Sequence, residues 1–555
     1  MNRTHFPNIL LLVAEVVLLS LLVLSCGGSS DDPLNTQDPP IYPPAVFIAD
    51  KDSDGVDELY ASFNDGTEIV KLSNALIFGG DVVDFLVSPD GFFVAYVADQ
   101  DINGVFELYV VVVDKTAGDT AVKVSRPMAG SGVLRLPYGK YSFGWAPDSS
   151  RVAYIANQNS PNAFELFTVK PDGQANVLVS DLPDPNPGRN VKDFEWEPDS
   201  TLIAYVADQD SNGKFELYVS LSDSKIGNRK VSGDFVNGSG VREIPTPPPP
   251  TGEYFFGWAP DSSRLAYIAN QVPEDIFELF TSTPVNPPTI RKLSGPMGIG
   301  GAVDEFAWAP DSSRIAYLAD QINDEGIELY TAWPNVSGSF FKNSTGIGAD
   351  SNVTGFEWAP NSLRIAFIAN KVDPRIALYT TGSEDSFNVL VSSMLIADSV
   401  VFSFGWAPDS LRIAYIANEL SINNFELFTT RPAAPIIIKI SGNLVADGDV
   451  REFKWAPNSS RVSYIADQDE DEVLELYSST PDGGVNDILS DVMVPGGNVQ
   501  DFKWAPDSSG VAYLADQDIN EVFELFASQP NGNNNTKLSG TLVSDGNVLA
   551  ADWVP

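Results

Sequence analysis

FGWAPDSSRVAYIANQ at residues 143–158, followed after a polar gap by FELFT at 164–168, is the stretch that decides the fold, because it recurs along nearly the whole chain. Its proline falls at Pro89, Pro147, Pro198, Pro260, Pro310, Pro360, Pro408, Pro457, Pro506 and Pro555, at spacings of 48 to 62 residues. Repeats of this period are one supersecondary unit that buries its faces only against its neighbours. Within the unit, the run ending Phe143-Gly144-Trp145 reads as a strand A. Pro147-Asp148-Ser149-Ser150 has turn chemistry, since proline presets φ and Asp and Ser bond their own backbone. Val152 to Ala156 and Phe164 to Thr168 are β-branched or aromatic with period two, giving strands B and C. Tails such as Val177 to Ser180, Ile290 to Ser294 and Ile437 to Ser441 supply strand D. Four short strands per period of this length predict an all-β fold, a β-propeller of four-stranded blades over residues 45–555.

The ends of the pattern predict how the propeller closes. The first unit starts at Ala45 directly in strand B, Val46-Phe47-Ile48-Ala49-Asp50, whereas the last stops at Asp552-Trp553-Val554-Pro555 with only a strand A. Joining that C-terminal strand to the N-terminal strands B to D makes a tenth blade and removes the exposed edges. One ten-bladed ring is therefore expected, with two smaller rings or an open arc as the alternatives. Trp145, Trp196, Trp258, Trp308, Trp358, Trp406, Trp455, Trp504 and Trp553 recur once per unit, as do Tyr154 and its equivalents. Facing alanines make them packing residues between stacked sheets rather than a platform for sugars.

Composition narrows function. With 33 basic against 75 acidic residues the formal charge is −42, which argues against nucleic-acid binding. The chain has one Cys and one His. Loss of the segment holding His5 would leave no imidazole, excluding Ser-His-Asp and Cys-His catalysis and His-ligated zinc, so no enzymatic role is expected.

Ile9 to Leu24 is an apolar run with Arg3 before it, too short to span a bilayer comfortably and suited to a signal segment over residues 1–25. Val23-Leu24-Ser25-Cys26-Gly27 resembles the bacterial lipobox, which implies lipidation of Cys26 and, with Gly27 following, delivery to the outer membrane of the cell envelope. An ordinary secretory signal with an incidental free thiol, or an uncleaved anchor, is the alternative. Residues 26–44 are the Cys and its linker, in which Gly27 to Pro44 are rich in Gly, Ser, Asp and Pro and read as a tether of up to roughly 55 Å at about 3.1 Å per residue. The membrane is then a partner through the lipid alone.

Trp-Ala-Pro-Asp-Ser-Ser-Arg-Ile-Ala-Tyr resembles the TolB-like, WD-related propeller repeat, and the match covers Ala45 to Pro555. Ser mostly replaces the turn glycine, which Pro89-Asp90-Gly91 retains. The resemblance implies fold more than activity, and a link to a Tol-Pal-like system rests on analogy.

The gap between strands B and C carries the candidate site. It holds Asp50, Asp52, Asp54 and Asp57 in the first unit, then Asp99, Asp101 and Asn103. Later units bring Asp208, Asp210 and Asn212, then Asp467, Asp469 and Asp471, then Asp516, Asp518 and Asn520. Oxygen donors at alternate positions with a glycine suit Ca²⁺ in a short loop, while the same residues suit a plain hairpin turn. Strand alternation puts these gaps on one face with the long D-to-A connections, including Arg126 to Lys140 and Val231 to Glu253. The function expected is an interaction scaffold for an envelope protein or glycan. A carboxylate-dependent polysaccharide hydrolase or lyase and a structural lipoprotein are the alternatives.

Overall fold

The structure is a computed structural model and describes residues 42–116, 120–182, 188–235, 239–244, 253–271, 276–297, 300–321, 326–345, 352–370, 375–384, 387–393 and 398–555. The signal segment, Cys26, the tether up to residue 41 and Pro247 to Pro250 lie outside the described residues.

The chain forms ten four-stranded antiparallel sheets, and the protein is a ten-bladed β-propeller. Blade 1 joins strands B, C and D at Tyr42–Ala49, Glu58–Asn64 and Glu68–Lys71 to a strand A at Val548–Trp553. Blades 2 to 10 begin with strands A at Val82–Val87, Phe143–Trp145, Val191–Trp196, Phe256–Trp258, Val303–Trp308, Val353–Trp358, Val401–Trp406, Val450–Trp455 and Val499–Trp504. Ten apolar clusters each draw on two consecutive blades, and the last joins Leu514 and Leu525 of blade 10 to Phe47 and Trp553 of blade 1. The ring is single and closed.

Its repeated residues divide the work. All nine motif tryptophans donate their indole N–H to a strand-A carbonyl of the preceding blade, at 3.0 Å for Trp145 to Leu86 and 3.3 Å for Trp258 to Glu195. The strand-B aromatics stack on strand-C aromatics within every blade, as in Tyr96 on Tyr109 at 5.3 Å and Phe47 on Tyr60 at 5.5 Å. Both faces of a blade thus bury large rings against the small alanines beside them.

Replacement of the turn glycine by serine has a physical cause. Eight turn serines, Ser149 to Ser508, hold φ between 60° and 63°, a left-handed conformation that costs a residue with a Cβ about 1–2 kcal/mol. Each hydroxyl accepts the backbone N–H of the residue after the turn proline in the preceding blade, as Ser149 does from Asp90 at 3.0 Å and Ser312 from Asp261 at 2.9 Å. A net hydrogen bond contributes about 0.5–1.5 kcal/mol, which offsets the strain and ties blade to blade. Strand D is shorter than expected, for example Val177–Leu178 instead of Val177 to Ser180. Ser180 turns inward, and its Oγ accepts the N–H of Leu166 at 3.1 Å, a bond that a serine repeats in all ten blades.

The seam departs from the repeat where closure demands it. Strand B of blade 1 begins at Tyr42, earlier than Ala45, and the Tyr42 hydroxyl donates to the Asn534 carbonyl at 3.2 Å. Gly510 stands where six other units carry arginine, and a Cβ there would lie 2.5 Å from Cε1 of Tyr42. Gly510→Arg, which restores the repeat residue, is therefore expected to displace Tyr42 and destabilise the ring by about 1–3 kcal/mol, the usual range for overpacking. A lowered midpoint in chemical denaturation checks it, and an unchanged midpoint contradicts this account of the seam.

Candidate functional site: the acidic loop face

Antiparallel order places the A-to-B turns and C-to-D hairpins on one face, the turn face, and the B-to-C loops and D-to-A connections on the other, the loop face. The expected acidic positions all lie on the loop face and split into two roles.

The first member of each set is architectural. Asp99 accepts the N–H of Asp81 at 2.7 Å with one oxygen and that of Gly104 at 2.8 Å with the other. Asp208 accepts from Asn190 at 2.6 Å and Gly213 at 2.8 Å, and Asp516 from Asn498 at 2.5 Å and Glu521 at 2.9 Å. Asp467 accepts from Asp449, and Asp50 from Asn547 across the seam. Asn157, Asn270, Asp320, Asn370 and Asn418 bond in the same way in the other five blades. Aspartate and asparagine alternate freely because the position needs one acceptor oxygen, not a charge. In six blades the residue before strand A extends this into a relay. Asp81, Asn190, Asn352, Asp449, Asn498 and Asn547 each accept an N–H from the preceding blade, as Asp81 does from Asp57 at 3.1 Å. Sequence reading missed the relay, although its signal is the constant separation of pairs such as Asp81/Asp99 and Asn190/Asp208.

The remaining positions are mostly exposed. Asp54, Asp210, Asn212, Asp469, Asp471 and Asn520 project into solvent. Asp52 accepts the Tyr60 hydroxyl at 3.1 Å, Asp101 pairs with Lys123 at 3.3 Å and Asp518 with Lys537 at 2.7 Å. Asn103 lies over Gly79, where a Cβ would be 2.7 Å from its Nδ2. Asp57 is half-buried, and burial with Asp81 and Asp50 nearby pushes its pKa up to about 6. Among the described residues no group of three or more His, Cys, Asp or Glu side chains is placed to hold a metal ion. The loops supply charge without a preformed cage.

The glutamate of Phe-Glu-Leu, which recurs regardless of the loop, is structural. Glu107 pairs with Lys123 at 2.5 Å and Glu524 with Lys537 at 2.7 Å, and five more blades make the same bridge from strand C to strand D. A further set of carboxylates, unremarked in sequence, sits on strand A. Asp193 accepts the N–H of Tyr254 at 2.9 Å and that of Phe194 at 2.8 Å, and Glu195 accepts that of Trp258 at 3.4 Å. Burial raises them to about 7 and about 8. Gly257 in the next blade leaves room for Glu195, whose oxygen would be 3.6 Å from a Cβ there.

No protein-family model matches the chain, and no curated protein matches it. Among solved structures it is similar to a eukaryotic initiation factor at 12% identity, covering 80% of this chain and 96% of that one, with a TM-score of 0.45. It is similar to Porphyromonas gingivalis dipeptidyl peptidase 4 at 11% identity, covering 78% and 64%, with a TM-score of 0.46. For a prolyl endopeptidase the figures are 11% identity, 65% of this chain, 50% of that one and 0.36.

Besides Asp57, burial pushes a second loop-face carboxylate toward neutrality. After strand B most units place a glutamine that accepts the tyrosine hydroxyl, as Gln158 does from Tyr154 at 2.8 Å, but blade 8 has Glu419, which accepts from Tyr415 at 3.2 Å. Burial, with Glu426 adding to it, raises Glu419 from 4.5 to about 7. The folded protein therefore keeps a proton that the unfolded chain releases, so stability falls as pH rises from about 4.5 through 7. Glu419→Gln is expected to raise Tm above pH 7 and to make its decline between pH 5 and 8 shallower. An unchanged slope in a pH series of melts contradicts the assignment.

Proposed function

We propose that the protein is a lipid-anchored scaffold of a bacterial cell envelope, TolB-like in its repeat, that presents the acidic loop face to a protein or glycan. The observation that carries this reading is the opposition of the two faces. The chain enters the ring at Tyr42 on the turn face, beside Asn534 of a C-to-D hairpin, whereas the exposed carboxylates Asp52, Asp54, Asp469 and Asp471 stand on the loop face. The field of that acidic face attracts cationic groups over about 8 Å at physiological salt. The propeller fold supports interaction without needing a catalytic group. Calcium enters the proposal through the exposed carboxylates, which must close around the ion on binding.

Two measurements on the full chain test the parts separately. Cys26→Ser is expected to move the protein from the membrane to the soluble fraction, and unchanged fractionation overturns the anchor. Used as bait in envelope extract, the full chain is expected to capture a partner in a salt-sensitive manner that Asp52→Asn, Asp54→Asn, Asp469→Asn and Asp471→Asn together abolish. Capture that is equal in the variant overturns the role of the loop face, and equal capture in EDTA and in millimolar Ca²⁺ removes calcium from it.

A further inference from the structure

The turn face carries a second candidate site, between blades 7 and 8, where the repeat departs from itself several times at one place. Blades 3, 5 and 6 read Pro-Asp-Ser-Ser-Arg at this turn, but blade 7 reads Pro360-Asn361-Ser362-Leu363-Arg364 and blade 8 reads Pro408-Asp409-Ser410-Leu411-Arg412. Leu363 and Leu411 are 69% and 67% exposed, although serine at the same positions serves the fold in blades 3, 5, 6, 9 and 10. Asn361 replaces the usual aspartate and removes a negative charge from the same spot, as Asn458 does elsewhere.

The arginine that follows is also left differently. Four of its equivalents are engaged: Arg151 bonds the Ala175 carbonyl at 2.6 Å, Arg412 the Pro481 carbonyl at 2.8 Å, Arg461 the carboxylate of Asp487 at 2.8 Å, and Arg314 pairs with Glu384, whereas Arg264 in blade 5 is half-buried with one guanidinium nitrogen unpartnered. Among the described residues Arg364 makes no such bond, nor does Arg431 on the neighbouring hairpin. Arg364 and Arg431 line one depression together with Asn361, Leu363, Leu411 and the edge of Trp406. Two guanidinium groups without a hydrogen bond or ion pair among the described residues stand here on a chain of charge −42.

We infer that this depression binds the C-terminal segment of a protein partner, with its terminal carboxylate on Arg364 and Arg431 and its apolar side chains between Leu363 and Leu411. Guanidinium forks match a carboxylate in geometry and charge. The paired leucines offer apolar area that a single exposed leucine does not. Loss of the aspartate at 361 removes the group that would repel the ligand. The site lies on the face opposite the acidic loops and does not depend on their role.

The test is calorimetric titration of the full chain with acetyl-Leu-Leu-Phe bearing a free carboxylate, and with its C-terminal amide. The acid is expected to bind at least about tenfold more tightly than the amide, a difference of about 1.4 kcal/mol. Arg364→Gln with Arg431→Gln is expected to abolish that preference. Leu363→Ser with Leu411→Ser restores the repeat's own residues, so the ring stays intact, and is expected to weaken binding by a similar factor. Equal binding of acid and amide, no binding of either, or indifference to both double variants overturns the assignment. Binding of dodecanoate but not of the peptide overturns the choice of a peptide as occupant.

Discussion

A four-stranded blade has two apolar faces and cannot hide either of them alone, and the rest of this structure follows from that constraint. Each face must meet another blade, so a row of blades is stable only where it has no end. The chain meets the requirement by lending strand A of its last unit to strands B to D of its first, where Ala45 to Ala49 pair with Val548 to Trp553. Ten units then bury ten interfaces. Propellers commonly have roughly four to eight blades, and each added blade narrows the wedge between neighbours. Small residues beside large ones, alanine against tryptophan and tyrosine, set that wedge here.

The polar bonds have a separate task, which is register. Apolar contact between two flat sheets tolerates sliding, whereas the indole N–H to carbonyl bond, the serine hydroxyl on the turn face and the Asp/Asn relay on the loop face each fix one point. Together they pin a blade at its strand A, at one end and at the other. The arrangement also explains why so many acids are tolerated in one chain. Several carboxylates accept backbone N–H groups or face lysines across strands C and D, and the surplus is left at the loop tips in water.

Much of the fold was legible in the sequence because the propeller is repetitive: a tryptophan, a Pro-Asp turn and Phe-Glu-Leu per unit are packing and turn signals with direct physical meaning. Ring closure was legible for the same reason, in a first unit without strand A and a last unit without B to D. The roles of single polar residues were not. Asp99 and Asp101 read alike in sequence, yet one is spent on two backbone amides and the other faces solvent and Lys123, because the difference lies in which connection folds back over the loop. Ser149 reads as ordinary turn chemistry, since the N–H that its hydroxyl accepts belongs to Asp90 of another blade. Gly510 and Leu363 read as noise in the repeat until the structure puts Tyr42 against one and Arg431 near the other.

Every interface described above requires the ten blades to form one closed ring. Electron-microscopy class averages of the full chain viewed down the axis test it most directly. A single disc with ten radial spokes around one opening is expected. Two discs, an arc with a gap, or a ring with another number of spokes would contradict it.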